Sequence, residues 1–448
     1  MTGVTNSEQK LPDDDPEGLA AAAKKKERVK ARWSLLREAL IGSQSSAATS
    51  KHSMNSFAGF QVLDRKVIQD SDELSDLAAK CRNDIDDGQD DEGASWDFVQ
   101  NSYTCKQGRK IQFITREVKR PHQQSEQITS QSSMKSRVEA LLSHRNHGVD
   151  NTGNVRVWDA EATLAGFLLS LLLSEDLGDF GDSRLETSEI TKIMDIRSRI
   201  RNVLFAHDKS TDDDIETCYI LELGAGQAGL AGLAIASATN SFDNMKSLKL
   251  VLTDGHPKCV ENNRVCSLTL LPKRQDAVSI DSRMLFWDSS ASGAEECQRI
   301  IKQCRKSSLE ERSDKGLFHL CIASDCVHFQ EFHDGLFITI ARMLAVGGIA
   351  LLCQPRRGSS LSNFMALVDT VNTANTTSDV PLFQMDIMED FHPKVSKMHR
   401  SIAETSITSY DPNWHRPLLL VMTKLRSFDE DIDGGLAQKV VKTYINVK

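Results

Sequence analysis

Between Cys218 and Ala238 the chain reads CYILELGAGQAGLAGLAIASA, and this stretch restricts the fold more than any other. A short apolar run, Tyr219-Ile220-Leu221, leads to Glu222 and then to the glycine loop Gly224-Ala225-Gly226-Gln227-Ala228-Gly229. An Ala/Leu-rich segment of helical composition follows. Strand, tight glycine turn and helix form the context in which a GxGxxG match carries weight. The glycines let the turn close and bring a ligand against bare backbone. The helix start offers free N–H groups at the positive end of its dipole.

The same alternation continues downstream. Apolar runs at 218–223, 248–253, 283–287, 318–324, 348–354, 382–387 and 418–424 read as strands, with helical segments between most of the first five. That pattern specifies a mostly parallel sheet with helices on both faces. The last two runs are joined without an obvious helix, which suits an antiparallel final strand. Upstream, Val157-Trp158-Asp159 opens a helix to residue 173, with Asp159 as N-cap, and 185–205 reads as another helix.

In such a sheet ligands sit beyond the carboxyl ends of the strands. Those ends are Gly224, Gly226, Asp254, Trp287, Asp288, Ser324 and Asp325. Two readings of the loop compete. A dinucleotide fold sets pyrophosphate over it, and a class I methyltransferase sets S-adenosylmethionine there. Glu222, two before the first glycine, favours the second, because an acidic residue at this spot in the methyltransferase motif helps hold the cofactor's amino-acid end. Asp254 suits two ribose hydroxyls in either reading. Trp287 is placed to flank adenine and Asp288 to accept from its amino group; a core aromatic is the alternative for Trp287. Asp325 stands beside the expected methyl-transfer point, where a carboxylate orients an amine or accepts its proton. Its alternative is a helix N-cap.

The remainder of the chain bounds the partners. A net charge of −9 over 448 residues gives no broad basic surface for nucleic acid. No apolar stretch is long enough to span a membrane, and the polar, acidic first fifteen residues do not read as a signal peptide. Ten cysteines occur without a CxxC pair, as in a cytoplasmic or nuclear protein with reduced thiols and no zinc site. Residues 1–15 read as a disordered tail, and 16–41 as a basic amphipathic helix presenting Val29, Trp33, Leu36 and Leu40. A serine-rich linker spans 43–53, a short strand 57–63, and two strands, 98–105 and 110–118, flank the turn Gln107-Gly108. The acidic stretch 83–92 fails as a calcium loop because its third ligand position falls on Ile85. It reads as a loop, as does 122–136. The divisions are thus an α+β accessory region at 16–150, a catalytic domain at 151–426 and a tail at 427–448.

Several stretches together resemble the calmodulin-lysine N-methyltransferase family, within the seven-β-strand protein-lysine methyltransferases. Val157-Trp158 with Glu161 and Leu164-Ala165 resembles the family's VWxxExxLA, and Leu252-Thr253-Asp254-Gly255 its LTDG. Phe286-Trp287-Asp288 is similar to RWD with Phe for Arg, and Ser324-Asp325-Cys326 to ADC with Ser for Ala. Pro355-Arg356-Arg357-Gly358 with Leu361 and Phe364 resembles PRRGxxLxxF, and Phe391-His392-Pro393-Lys394 resembles FHxK. Pro417-Leu418-Leu419-Leu420 with Thr423-Lys424 resembles PLLLxxTK, and Arg32-Trp33-Ser34-Leu35-Leu36-Arg37 resembles RWxLLR. Sister enzymes usually carry an aromatic three residues after the aspartate of Ser324-Asp325; here that place holds His328.

The resemblance implies a Rossmann-like, seven-stranded class I methyltransferase sheet. It also implies trimethylation of a lysine of calmodulin from S-adenosylmethionine, without a metal. Apart from the resemblance, the expected protein is a monomer of the cytoplasm, with the nucleus as a second compartment. Trp158, Glu222, Gly224, Ala225, Gly226, Asp254, Trp287 and Ser324 are then the cofactor residues, and Asp325 the catalytic one. Arg356 and Arg357 would meet an acidic substrate by charge pairing, with a solvated loop or an internal salt bridge as the alternative. Phe329, with Phe391 and Trp414, would wall a channel that desolvates the lysine, with ordinary core packing as the alternative for each. The alternatives are a sister lysine methyltransferase with another protein substrate, a non-catalytic binding module on the same fold, and an NAD(P) oxidoreductase. No substrate domain or proton-relay arrangement supports the last.

Overall fold

Strand β1 (Asp64–Val67), helix α1 (Ser71–Arg82), β2 (Trp96–Thr104) and β3 (Lys110–Val118) open the chain, in a computed structural model. It describes residues 59–82, 96–118, 157–174, 187–205, 217–242, 244–270, 277–305, 316–374, 379–405 and 410–446. The segments read as a basic helix at 16–41, a linker at 43–53 and loops at 83–92 and 122–136 lie outside the described residues. All described residues fall in one compact unit, 54–125 with 150–448; the other, 1–53 with 126–149, lies outside them.

β1, β2 and β3 form a small antiparallel sheet in that order, around the expected turn at Gln107-Gly108. The strand expected at 57–63 forms instead at 64–67. α1 had no counterpart in the sequence reading: its mixed polar composition gives a weak apolar stripe, and Asp70 caps it by accepting from Asp72 and Glu73 N–H.

The body follows in the order α2 (Asp159–Leu173), α3 (Thr187–Leu204), β4 (Thr217–Leu223), α4 (Leu230–Ala238), β5 (Ser247–Asp254) and α5 (Pro257–Thr269). Next come β6 (Val278–Met284), α6 (Ala291–Cys304), β7 (Phe318–Ser324), α7 (His333–Met343), β8 (Leu344–Gln354) and α8 (Ser360–Ala374). β9 (Phe383–Met388), α9 (Pro393–Thr405), the single turn α10 (Pro412–His415), β10 (Leu418–Lys424) and α11 (Gly435–Asn446) complete the chain. The sheet order is β6-β5-β4-β7-β8-β10-β9, parallel except for β10, which runs antiparallel to both neighbours. This is the Rossmann-like seven-stranded class I methyltransferase sheet.

The central strands are apolar runs because both faces are covered. α2, α3, α4 and the accessory strands bury one face, and α6, α7, α8 and α11 the other. α2 and α4 are apolar nearly all round because they sit between the sheet and further layers.

Four boundaries differ from the sequence reading. β6 ends at Met284, so Trp287 and Asp288 lie in the following loop. β6 is the sheet edge, its side chains only half covered, and the apolar run 285–287 belongs to the loop packed beside it. Trp158, not Asp159, is the N-cap of α2. α9 and α10 do separate β9 from β10; α9 presents Val395, Met398 and Ile402 at helical spacing, and α10 is a single turn. The expected tail is not loose either. Its helix α11 buries Ala437 and Val441 against α7 and α8.

Candidate active site

The carboxyl ends of β4, β5, β7 and β8 meet at one edge of the sheet. The loop after β4 puts Gly224, Gly226 and Gly229 at positive φ, between 55° and 60°, where a side chain is strained. A Cβ at Gly224 would stand 2.7 Å from Cys326 Sγ and 3.0 Å from the Trp287 ring. Trp287 therefore lies against the bare backbone of the loop.

The loop is pinned from three sides. Ala225 N–H donates to Thr253 O at 2.8 Å. Gly226 N–H donates to Asp254 Oδ2 at 2.9 Å, while Asn263 Nδ2 donates to Gly226 O at 3.1 Å. The other Asp254 oxygen accepts from His256 N–H at 2.8 Å. Burial pushes the Asp254 carboxyl up to about 6, against the pull of these N–H donors. Asn262 extends the support outward. It accepts from Arg116 Nε at 2.6 Å and donates to Arg116 O at 2.7 Å, and also reaches Gln227 O. The accessory sheet is thus tied to the loop through one side chain. Neither asparagine was singled out from sequence; the Asn262-Asn263 pair inside a helix following LTDG was the available signal.

Glu222 sits 1% exposed, and its carboxylate accepts from Gly232 N–H in α4 at 2.8 Å. Glu161 of α2 accepts from Leu230 N–H at 3.0 Å, beside it. On this geometry Glu222 acts through the helix that follows the loop, rather than by reaching over it. Burial raises Glu161 to about 7; burial first, then the neighbouring Glu161, raises Glu222 well above the usual carboxylate range. Two carboxylates buried together under one helix start do not both ionise easily.

Asp325 follows β7 with φ at 54°, in the left-handed region, and Arg357 follows β8 with φ at 51°. Arg357 Nε donates to Asp325 Oδ1 at 3.2 Å, and its Nη2 bonds Oδ2. The guanidinium lies 5.7 Å from the Trp158 ring and 5.5 Å from the Trp414 ring. His328 stands edge-on to Trp414 at 6.3 Å and 4.7 Å from Phe329. Trp158, Trp414, His328 and Phe329 thus form an aromatic rim around the Asp325–Arg357 pair. Ser324 Oγ, at the end of β7, is buried without a hydrogen-bond partner among the described residues.

Three expected roles do not match their surroundings. Arg357 is turned onto the chain's own Asp325 in a largely buried pair, while Arg356 pairs with Glu389 at the exposed surface. Arg416 joins the second group, on Glu389 and Asp390. Phe391 is 0% exposed and packs edge-on to Phe167 at 5.2 Å, so it is core, not channel. Asp288 spends its carboxylate on Ser290 N–H and hydroxyl, at 2.9 and 2.7 Å.

Residues 137–299 match the family model described as lysine methyltransferase. The calmodulin-lysine N-methyltransferase of Arabidopsis thaliana is 27% identical over 252 residues, covering 55% of this chain and 70% of that one. Over these stretches the chain is similar to lysine methyltransferases. Among solved structures, loganic acid methyltransferase with SAH is 12% identical, covers 56% of this chain and 97% of its own, and has a TM-score of 0.29. A plantazolicin methyltransferase with SAH is 11% identical, covers 60% and 100%, and has a TM-score of 0.28. The strand order, with β10 antiparallel, and the similarity over residues 137–299 give the class I methyltransferase sheet. Its sheet edge fits S-adenosylmethionine: bare backbone at Gly224, a ring against it, a carboxylate at the next strand end and the unpartnered Ser324 hydroxyl.

Proposed function

We propose that this lysine methyltransferase acts on calmodulin, adding up to three methyl groups to one lysine. The observation that carries the substrate is the similarity to the Arabidopsis enzyme across 70% of its length. S-adenosylmethionine supplies a methyl group on a sulfonium, already electrophilic without activation. The chain's task is to hold donor and amine in line and to present the amine uncharged.

Gly224, Ala225 and Gly226 offer backbone to the donor, Asp254 its ribose acceptor, Trp287 a flanking ring, and Trp158 and Ser324 the neighbouring wall. A free lysine has a pKa near ~10.4 and is mostly charged at neutral pH. The rim of Trp158, Trp414, His328 and Phe329 excludes water from the arriving ammonium and so favours its neutral form. Asp325 is the residue assigned to the amine. With both oxygens on Arg357 it orients and neutralises more readily than it abstracts a proton, and it fixes Arg357 between the two tryptophans. We assign the enzyme to the cytoplasm, with the nucleus as a second compartment, and to a monomeric state.

The test is labelled S-adenosylmethionine with unmethylated calmodulin and, separately, with a cell lysate. Label on calmodulin supports the reading. Label only on other lysate proteins keeps the methyltransferase and discards the substrate, while cofactor binding with no label anywhere moves the chain to the binding-module alternative.

A further inference from the structure

Arg357 is buried against Asp325 and Arg356 is paired at the surface with Glu389, so cations without a carboxylate partner for an acidic substrate are to be sought elsewhere. α9 carries Lys394, Lys397 and Arg400, three residues apart in turn, on the face away from its packing. Lys394 and Lys397 are exposed and Arg400 half-buried, and among the described residues no carboxylate pairs with any of them. The opposite face is anchored. Val395 is 1% exposed and clusters with Phe60 and Val62, with Met398 and Tyr410 packed against them.

This helix also lies at the right end of the sheet. It begins just beyond Met388, which pairs with Leu419, while Leu418 pairs with Gln354 at the end of β8. Contacts connect it to the aromatic rim. His399 Nδ1 and Tyr410 Oη are 2.8 Å apart, and Tyr410 stacks on His415 of α10 at 5.7 Å. The residue before His415 is Trp414, one of the two rings enclosing Arg357.

We infer that Lys394, Lys397 and Arg400 form the docking face for an acidic segment of the protein substrate, which delivers its lysine to the rim between Trp414 and Phe329. This rests on the proposed function, since it assumes an acidic protein substrate. Charge complementarity selects the occupant. A row of cations spaced by about one helical turn matches carboxylates spread along a protein segment, and such rim charges act on encounter and on salt dependence.

The experiment compares the wild-type chain with Lys394→Glu/Lys397→Glu and with a control of equal charge change on the opposite face, Lys302→Glu/Lys439→Glu. Methyl transfer to unmethylated calmodulin is followed against salt, and S-adenosylmethionine and calmodulin affinities are measured separately. The docking face predicts a KM for calmodulin raised about tenfold in the first variant and a shallower salt dependence. It also predicts kcat and donor affinity held, and a control like wild type. Equal KM and salt response in the first variant overturn the docking face and leave the substrate reading standing, as does an equal shift in the control. A wild-type chain that neither methylates nor binds calmodulin overturns both.

Discussion

Asp325 and Arg357 face each other across the ends of β7 and β8, both with left-handed backbones, and bond through two nitrogens and two oxygens. Their side chains are only 9% and 16% exposed. Removing one partner leaves a nearly buried charge, a loss of roughly 3–5 kcal/mol. Arg357→Ala is therefore expected to lower Tm by several degrees and kcat by a hundredfold or more. Arg357→Lys keeps the charge but not the fork; it should cost about tenfold in kcat with a smaller shift in Tm. Steady-state kinetics with calorimetric melting separate the two.

Asp254→Ala removes the acceptors of Gly226 and His256 N–H together. Donor affinity should fall at least a hundredfold with the fold retained, as read by titration calorimetry with S-adenosylmethionine and checked by circular dichroism. Undiminished affinity contradicts the placement of the donor over this loop.

Gly224→Ala tests the closeness of Trp287. The new methyl meets Cys326 Sγ at 2.7 Å and the Trp287 ring at 3.0 Å, on a backbone at φ 60°. A destabilisation of about 1–3 kcal/mol is expected, together with altered tryptophan fluorescence and weakened donor binding. Fluorescence unchanged from wild type speaks against the contact.

Glu161 gives stability a pH dependence. Burial raises it from 4.5 to about 7, so the folded chain holds a proton that the unfolded chain releases, and stability falls as pH rises through that window. The full effect is up to about 3 kcal/mol. Glu161→Gln keeps an acceptor for Leu230 N–H without the charge, and should narrow the difference in Tm between pH 5 and pH 8. The same difference in both proteins excludes Glu161 as its source.

The edge of the sheet was readable because parallel strands buried on both faces are bare apolar runs, and ligands gather where they end. β7 and β10 lie where their runs predict, at 318–324 and 418–424. β6 slipped because an edge strand such as VSIDSRM carries little hydrophobic signal, while the loop behind it does. The partners of the arginines were not readable. Nothing local in Pro355-Arg356-Arg357-Gly358 says that Glu389 and Asp325 will lie opposite them. The segment after residue 426 read as a tail because it lies beyond the last family-like stretch, although Leu436, Ala437, Val440, Val441 and Tyr444 recur in it at helical spacing. Its contacts are nonetheless structural: Arg342 bonds Glu430 at 2.7 and 2.8 Å, Arg426 bonds buried Asp433, and His333 meets Tyr444 at 2.7 Å.

Truncation after Arg426 should accordingly leave Arg342 without Glu430 and expose the face of α7 and α8 that α11 covers. An aggregated or strongly destabilised chain is expected, read by size-exclusion chromatography and thermal melting. A truncated chain that melts like the full one places α11 outside the folded body.

The intact mass of unmethylated calmodulin, before and after incubation with S-adenosylmethionine, bears on the whole account. The wild-type chain should add methyl groups that peptide mapping assigns to a single lysine, and Asp254→Ala should add none. Unchanged calmodulin with wild-type enzyme that has bound the donor, or equal methylation by the Asp254 variant, contradicts it.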